Sequence, residues 1–230
     1  MTVPIDQLTQ KGRTTRARLL QVAGQELHEK GQIEVTSVAD RAGMSLGLLY
    51  RYFTNKDGLV TAVVDAFYDR YEEAVFSEPV PPDVHWSDFE HQRFEREVDF
   101  VFDEPLGRRI VGGPPFEPAA AHTDARRLER HIGMAARNIA HGERRGMIIV
   151  SIDKRLAAAA IIGGLRSCLA MALVEGSTIS RAEVVTAMKH VSHGLITRLE
   201  PAPARHQGAG AANHNRPDPM TAYGVPVGKP

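Results

Sequence analysis

Nowhere in this chain do about 18 uncharged apolar residues follow one another, and its opening stretch, MTVPIDQLTQKGR, has no apolar segment behind a basic start. A membrane span and a signal peptide are therefore not expected, and the expected setting is cytoplasmic. Cysteine is nearly missing. Cys168 is the one thiol in 230 residues, so no internal disulfide can form, and its place in an apolar helical pattern suits an inert buried group rather than a redox sensor. No CxxC, HExxH, P-loop, GxGxxG or GxSxG is present. His190 and His193 stand three apart on an expected helix, but neither a carboxylate nor a third histidine stands at ligand spacing beside them. No cofactor, metal site or catalytic residue is expected.

Net charge is absent too, with 28 basic against 28 acidic residues, yet the distribution is uneven. Residues 1–60 carry 8 basic and 6 acidic side chains, residues 61–105 carry 3 and 13, and residues 106–200 carry 14 and 8. Two readings stay open: a molecule oriented by its charge, basic end towards a polyanion, or a middle segment that is a solvated helix face.

What is present is helical periodicity throughout. Residues 1–12 show none and read as an arm. A first helix follows, with Thr14 or Thr15 as its cap, Leu19, Leu20, Ala23 and Leu27 on one face, and Gly31 as its stop. Lys11, Arg13, Arg16 and Arg18 crowd its first turns against the helix dipole, a placement that phosphate contact would explain. Val35, Val38, Ala39 and Ala42 then give a helix of two turns that Gly43 ends. Ser45 caps another through Tyr52, with Leu49 and Phe53 facing a core. Its outer face is left with Leu46, Gly47, Leu48, Tyr50, Arg51 and Tyr52, a set with little reason to be exposed unless it meets a partner.

The spacing VAxxAGxSxGxLYxYFxxKxxL, carried by Val38, Ala39, Ala42, Gly43, Ser45, Gly47, Leu49, Tyr50, Tyr52, Phe53, Lys56 and Leu59, closely resembles the DNA-binding domain of the tetracycline-repressor (TetR) family over about residues 13–60. Glu34, Gln32 and His28 depart from the family pattern, Glu34 standing where these proteins usually carry a threonine cap. The resemblance implies a helix-turn-helix over residues 13–58 whose third helix enters the major groove. Ser45, Leu46, Gly47, Leu48, Tyr50 and Arg51 would then meet bases or backbone, Tyr50 and Tyr52 would bond phosphates, and Thr36 and Lys56 would take phosphate or groove contacts. Only groove-facing side chains can carry sequence information; Arg51 suits either guanine or a phosphate.

Residues 59–200 should form a larger helical body for ligand binding and dimerisation. Asn55 can cap a helix to about Ser77 with Leu59, Val63, Phe67 and Tyr71 on one face. Prolines at 79, 81 and 82 end it, and a further helix spans Trp86 to about Asp103. Trp86, Phe89, Phe94, Val98 and Phe102 on that helix either line a pocket for a lipophilic ligand, a cationic one included, or fill the core. After an irregular connection with a short helix at Leu106 to Val111, helical patterns run from Asp124 to about Arg145, from a cap at Asp153 through Val174, and from a capping box at Ser180 and Glu183 to Leu199. The Asp153 helix is apolar nearly all round. A second subunit or an intramolecular core would cover it, and the final two helices of TetR-like proteins commonly build a four-helix interface. Ile161, Gly164, Cys168, Val184, Met188 and Val191 are the candidate dimer residues. Residues 201–230 hold six prolines and four glycines without periodicity and read as disordered.

The expected molecule is thus all-α, a ligand-responsive regulator that binds operator DNA as a homodimer. The competing readings are a helical small-molecule-binding or adaptor protein without productive DNA binding, and an α-helical enzyme.

Overall fold

Helix α1 (Gln10–Lys30) begins earlier than its apolar pattern suggests, because Thr9 is the cap: its hydroxyl accepts the Gly12 N–H at 3.2 Å. Thr14 and Thr15 lie inside the helix and donate instead to the carbonyls of Gln10 and Lys11, at 3.1 and 2.9 Å. The computed structural model describes residues 7–113 and 117–199. The expected arm is thereby shortened, with Leu8 buried beneath Gly12. Its first six residues and the segment 201–230 lie outside the described residues.

Helices α2 (Val35–Ala42) and α3 (Leu46–Tyr52) meet at Gly43, whose φ of 69° is one that a side chain would resist. Ser45 accepts the Leu48 N–H at 3.2 Å and starts α3. Helix α4 (Lys56–Phe76) starts at Asn55, which accepts the Gly58 N–H at 2.8 Å. Leu19, Leu27, Val38, Ala39, Leu49 and Leu59 share one core, and α1 packs on both α2 and α4.

The body adds α5 (Trp86–Asp103), α6 (Gly107–Ile110), α7 (Pro118–Arg144), α8 (Lys154–Ala172) and α9 (Arg181–Leu195). Helix α7 packs between α4 and α8, and α9 lies against α5 and α8. Two starts and one end differ from the sequence reading. Pro118 takes the first position of α7, where its missing N–H costs nothing, so the helix begins six residues before Asp124, where its apolar pattern starts. The capping box at Ser180 and Glu183 forms, but α9 stops at Leu195. Ile196–Arg198 instead pairs antiparallel with Ile148–Val150, β2 with β1, where β-branched residues suit a short ribbon. At Gly142 a side chain would lie 2.9 Å from both the Trp86 ring and Ile148, so the small residue lets α5 and the ribbon close on α7.

The acidic segment 61–105 turns out to be paired. Asp65, Asp69 and Glu72 on α4 receive Arg127 of α7 at 2.7, 2.6 and 3.0 Å. Glu95 pairs with Lys189 at 2.9 Å, Asp99 with Arg181 at 3.1 Å, and Asp88 with Arg198 at 2.6 Å. The regional excess of acid is largely met by the basic excess of residues 106–200, as contacts between helices.

Candidate nucleic-acid interface

Helix α3 divides cleanly between core and surface. Leu49 is fully buried and Phe53, its C-cap, nearly so, whereas Leu46 and Tyr50 are 40% and 45% exposed and Gly47 and Arg51 are exposed as well. Leu48 and Tyr52 are half-buried, Tyr52 packing against the core. The Arg51 side chain meets no acceptor among the described residues. Thr36 is exposed on the first turn of α2. The structure therefore brings Ser45, Leu46, Gly47, Tyr50, Arg51 and Thr36 to the surface of one helix-turn-helix.

Lys56 is different. Its ammonium lies 3.2 Å from Glu117, the residue just before α7, and the same carboxylate accepts the Ile33 N–H at 3.4 Å. A residue expected to hold phosphate is thus held by the body. The basic first turns of α1 also separate into two kinds. Arg18 donates to the Ala42 carbonyl at 3.2 Å and the Arg16 guanidinium sits 5.2 Å above the Phe53 ring, so both brace the head. Lys11 and Arg13 point into solvent without an acceptor among the described residues.

The missing threonine cap at position 34 is replaced from another helix. Glu34 offers no side-chain bond to α2. Instead the fully buried Glu26 of α1 accepts the Glu34 N–H at 3.0 Å and the Ser37 hydroxyl at 2.6 Å, with Lys30 and Arg41 3.6 and 3.7 Å away. Burial opposes its charge, but the bonds from Ser37 and Glu34 and the charge of Lys30 outweigh it, so its pKa lies below the ordinary value. Sequence reasoning missed Glu26 because its partners lie 8 and 11 residues away; an acid on the inner face of α1, amid Val22, Ala23 and Leu27, was the available signal.

Residues 19–63 match the family model for bacterial regulatory proteins of the tetR family. The head is similar to the tetR-family domain along the whole helix-turn-helix. A sequence search of curated proteins gives no match. Among solved structures, similarity extends over the body. A TetR-like transcriptional regulator from Rhodococcus sp. RHA1 superposes with a TM-score of 0.61 at 18% identity, covering 82% of this chain and 98% of that one. The TetR regulator TylP from Streptomyces fradiae gives 0.64 at 19%, covering 81% and 88%. The fatty acid degradation regulator FadR from Bacillus halodurans gives 0.61 at 18%, covering 78% and 98%. At these identities the likeness establishes the fold: the head sits on an all-α body of the same fold as theirs.

Within that body the expected ligand and dimer residues scatter. Trp86, Phe94 and Val98 are buried in the core, and the Trp86 N–H donates to the Asn138 carbonyl at 3.1 Å. Phe102 packs at the core's edge against the Arg181 guanidinium. Phe89 lines a cleft of about 280 Å³ between the end of α4, α5 and α7. Of the dimer set, Val184 and Met188 are buried inside their own chain, and Ile161 is 9% exposed. Gly164 faces Met188 and Val191 of α9, and Cys168 is half-buried. These positions lie largely on the inward side of α8 and α9. The outward stripe of α8 is Leu156, Ala160, Gly163, Ser167 and Met171, and Val174 follows it two residues past the helix end; Leu156, Met171 and Val174 are 65%, 64% and 58% exposed, and Val191 at 37% belongs with them. Periodicity finds such a face but not its direction. Helix α8 is also long and apolar enough to cross a membrane by length and composition, but one side of it packs on α7 and α9.

Proposed function

We propose that the protein is a ligand-responsive transcriptional regulator of the cytoplasm, a repressor that binds a pseudo-palindromic operator as a homodimer and is released by a small lipophilic ligand. The observation that carries this reading is the outer face of α3, where Leu46, Tyr50 and Arg51 stand in solvent on a helix anchored by Leu49 and Phe53. Two such helices on a symmetric dimer would read half-sites about one helical turn, ~34–36 Å, apart. The exposed stripe from Leu156 to Val174 supports the pairing: two large apolar side chains on one face of α8 and a third just past its end are more than a lone surface has use for. The inward residues Ile161, Val184 and Met188 are replaced in that role by the outward ones.

Release needs a route from body to head. Helix α4 runs from Lys56, beside the reading helix, to Phe76 in the body. A second route crosses at Glu117, which holds Lys56 and Ile33, and at Arg109, which donates to the His28 carbonyl at 3.3 Å. A ligand that binds one arrangement of these contacts better than the other shifts the equilibrium by that difference in affinity and by no more.

The test is selection of bound fragments from the source genome, followed by titration at several salt concentrations. Arg51→Ala should relax base preference by about 1–3 kcal/mol at one position of each half-site. Thr36→Ala should weaken all sequences alike. Equal loss of specificity in both variants, or no salt-dependent binding to any fragment, would sink the reading.

A further inference from the structure

The cleft between the end of α4, α5 and α7 has an unusual floor. Arg93 of α5 is nine-tenths buried, its guanidinium 5.3 Å above the Phe76 ring. Its one ion-pair partner among the described residues is Glu90, and that carboxylate also accepts the Asn138 side-chain amide at 2.7 Å. The guanidinium fork has five N–H donors, so one shared carboxylate leaves part of it unused. Arg137 of α7 stands at the rim, exposed and without an acceptor among the described residues, and Glu78 opposite is engaged by Arg96 at 3.3 Å. The walls are apolar: Phe76, Pro79, Val80, Phe89 and Met134.

Each charge here has a cost that points to a missing partner. A cation taken out of water is stabilised by pairing and by bonds to its remaining donors. The acids already present are occupied: Glu90 by Arg93 and Asn138, Glu78 by Arg96, and Glu97, whose charge also favours Arg93, by the Tyr71 hydroxyl. What the floor and rim lack in common is an anion with apolar substance behind it. A volume of about 280 Å³ lies just below the usual range of ligand clefts, ~300–1,000 Å³, which limits the occupant to one aromatic ring or a short alkyl chain with an acidic arm.

We infer that this cleft binds a small lipophilic carboxylate, its acid group received by Arg93 and Arg137 and its apolar part by Phe76, Phe89 and Met134. The inference rests on the ligand-responsive reading above and gives that ligand a chemical class and a place. Burial pushes the Arg93 pKa down to about 10, with Glu97 and Tyr71 favouring its charge, so the group remains a cation at neutral pH. Phe76 ends the same helix that Lys56 begins, so occupancy acts on the element that carries the head.

The experiment is calorimetric titration of the full chain with phenylacetate, benzoate and hexanoate, against phenylacetamide and phenethylamine as neutral and cationic counterparts. Saturable binding of an acid at one site per chain, about tenfold or more tighter than the amide, is expected. Arg137→Gln should weaken it several-fold, and Arg93→Met and Met134→Trp should abolish it. Arg93→Met leaves Glu90 unpaired in the interior and can fail to fold. Met134→Trp fills the cleft from a half-buried position with no loss of charge, and decides the matter in that case. Equal binding of acid and amide, preference for the amine, acid binding that survives Met134→Trp, or no saturable acid binding below about 1 mM would each overturn the inference. Acid binding by protein that never shifts DNA would keep the site and overturn the regulatory reading; DNA binding without acid binding would do the reverse.

Discussion

The helix-turn-helix keeps free cations on its surface, whereas the body joins most of its helices through paired ones. In the body, Arg127 spans three carboxylates of α4, Arg181 takes Asp99 and Asp103, and Lys189 takes Glu95, so that the regional imbalance of charge resolves into contacts between helices. In the head, Arg51, Lys11 and Arg13 remain in solvent without acceptors among the described residues. A regional excess of acid therefore says little about the field around the molecule when a basic helix packs on the acidic one. The exposed cation with no partner is the informative one, and the head has them on and beside the helix-turn-helix.

The largest effects should come from the outward stripe of α8 if it is the pairing surface. Leu156→Glu with Met171→Glu should leave a folded monomer by sedimentation and weaken operator binding by about 10²–10⁴, the avidity of two linked heads. A dimer that persists in this variant would break the assignment. Next comes the division of α3. Leu49→Ala, at a fully buried position, should destabilise the head by about 2–5 kcal/mol, while Leu46→Ala should leave the melting temperature nearly unchanged and alter DNA binding alone. Reversed effects in thermal denaturation would show the helix to be turned the other way.

The same comparison explains what could be read from sequence. The starts of α3, α4, α8 and α9 were legible because Ser45, Asn55, Asp153 and Ser180 bond to amides two or three residues away. The outer face of α3 was legible because its two anchors are four residues apart. The start of α1 was not, since Thr9, Thr14 and Thr15 are chemically alike and only burial of Leu8 tells them apart. The α7 start, the β1–β2 ribbon and the Glu26 cap depend on partners distant in sequence or in a different element. Aromatic residues on α5 could be core or pocket by pattern, and most proved to be core.

Two buried carboxylates sharpen the contrast by responding to pH with opposite sign. Glu26 in the head has a depressed pKa, so its contribution is present above the ordinary value of a glutamate and is lost as pH falls through the lower folded value. Glu26→Gln should cost about 1–3 kcal/mol at pH 7 and lessen the loss of stability in acid. Glu97 in the body bonds the Tyr71 hydroxyl, and burial, opposed by Tyr71, Arg93 and Arg166, pushes its pKa up to about 7. Its protonated form suits the folded state, so stability should decline as pH rises from ~4.5 to about 7. Glu97→Gln should stabilise the protein at pH 8, by on the order of 1–3 kcal/mol, and flatten that decline. Denaturant melts at pH 5 and pH 8 check both; a destabilised Glu97→Gln at pH 8 would show that the carboxylate is needed charged.

The smallest expected effect lies where the two regions touch. Glu117 holds Lys56 at 3.2 Å, with the lysine 41% exposed, so the pair competes with any phosphate for the same ammonium. An ion pair this open is worth roughly 0.2–1 kcal/mol, and its removal should strengthen DNA binding by up to about fivefold rather than weaken it. Glutamine is the substitution to use, because its side-chain oxygen can still accept the Ile33 N–H. In Glu117→Gln the slope of log affinity against log salt should steepen by up to about one phosphate contact, and the gain should vanish when Lys56→Ala is added, since the two act through one interaction. If Glu117→Gln instead binds DNA no better, the ammonium is not withheld from phosphate, and the link from body to head must run through α4 or Arg109.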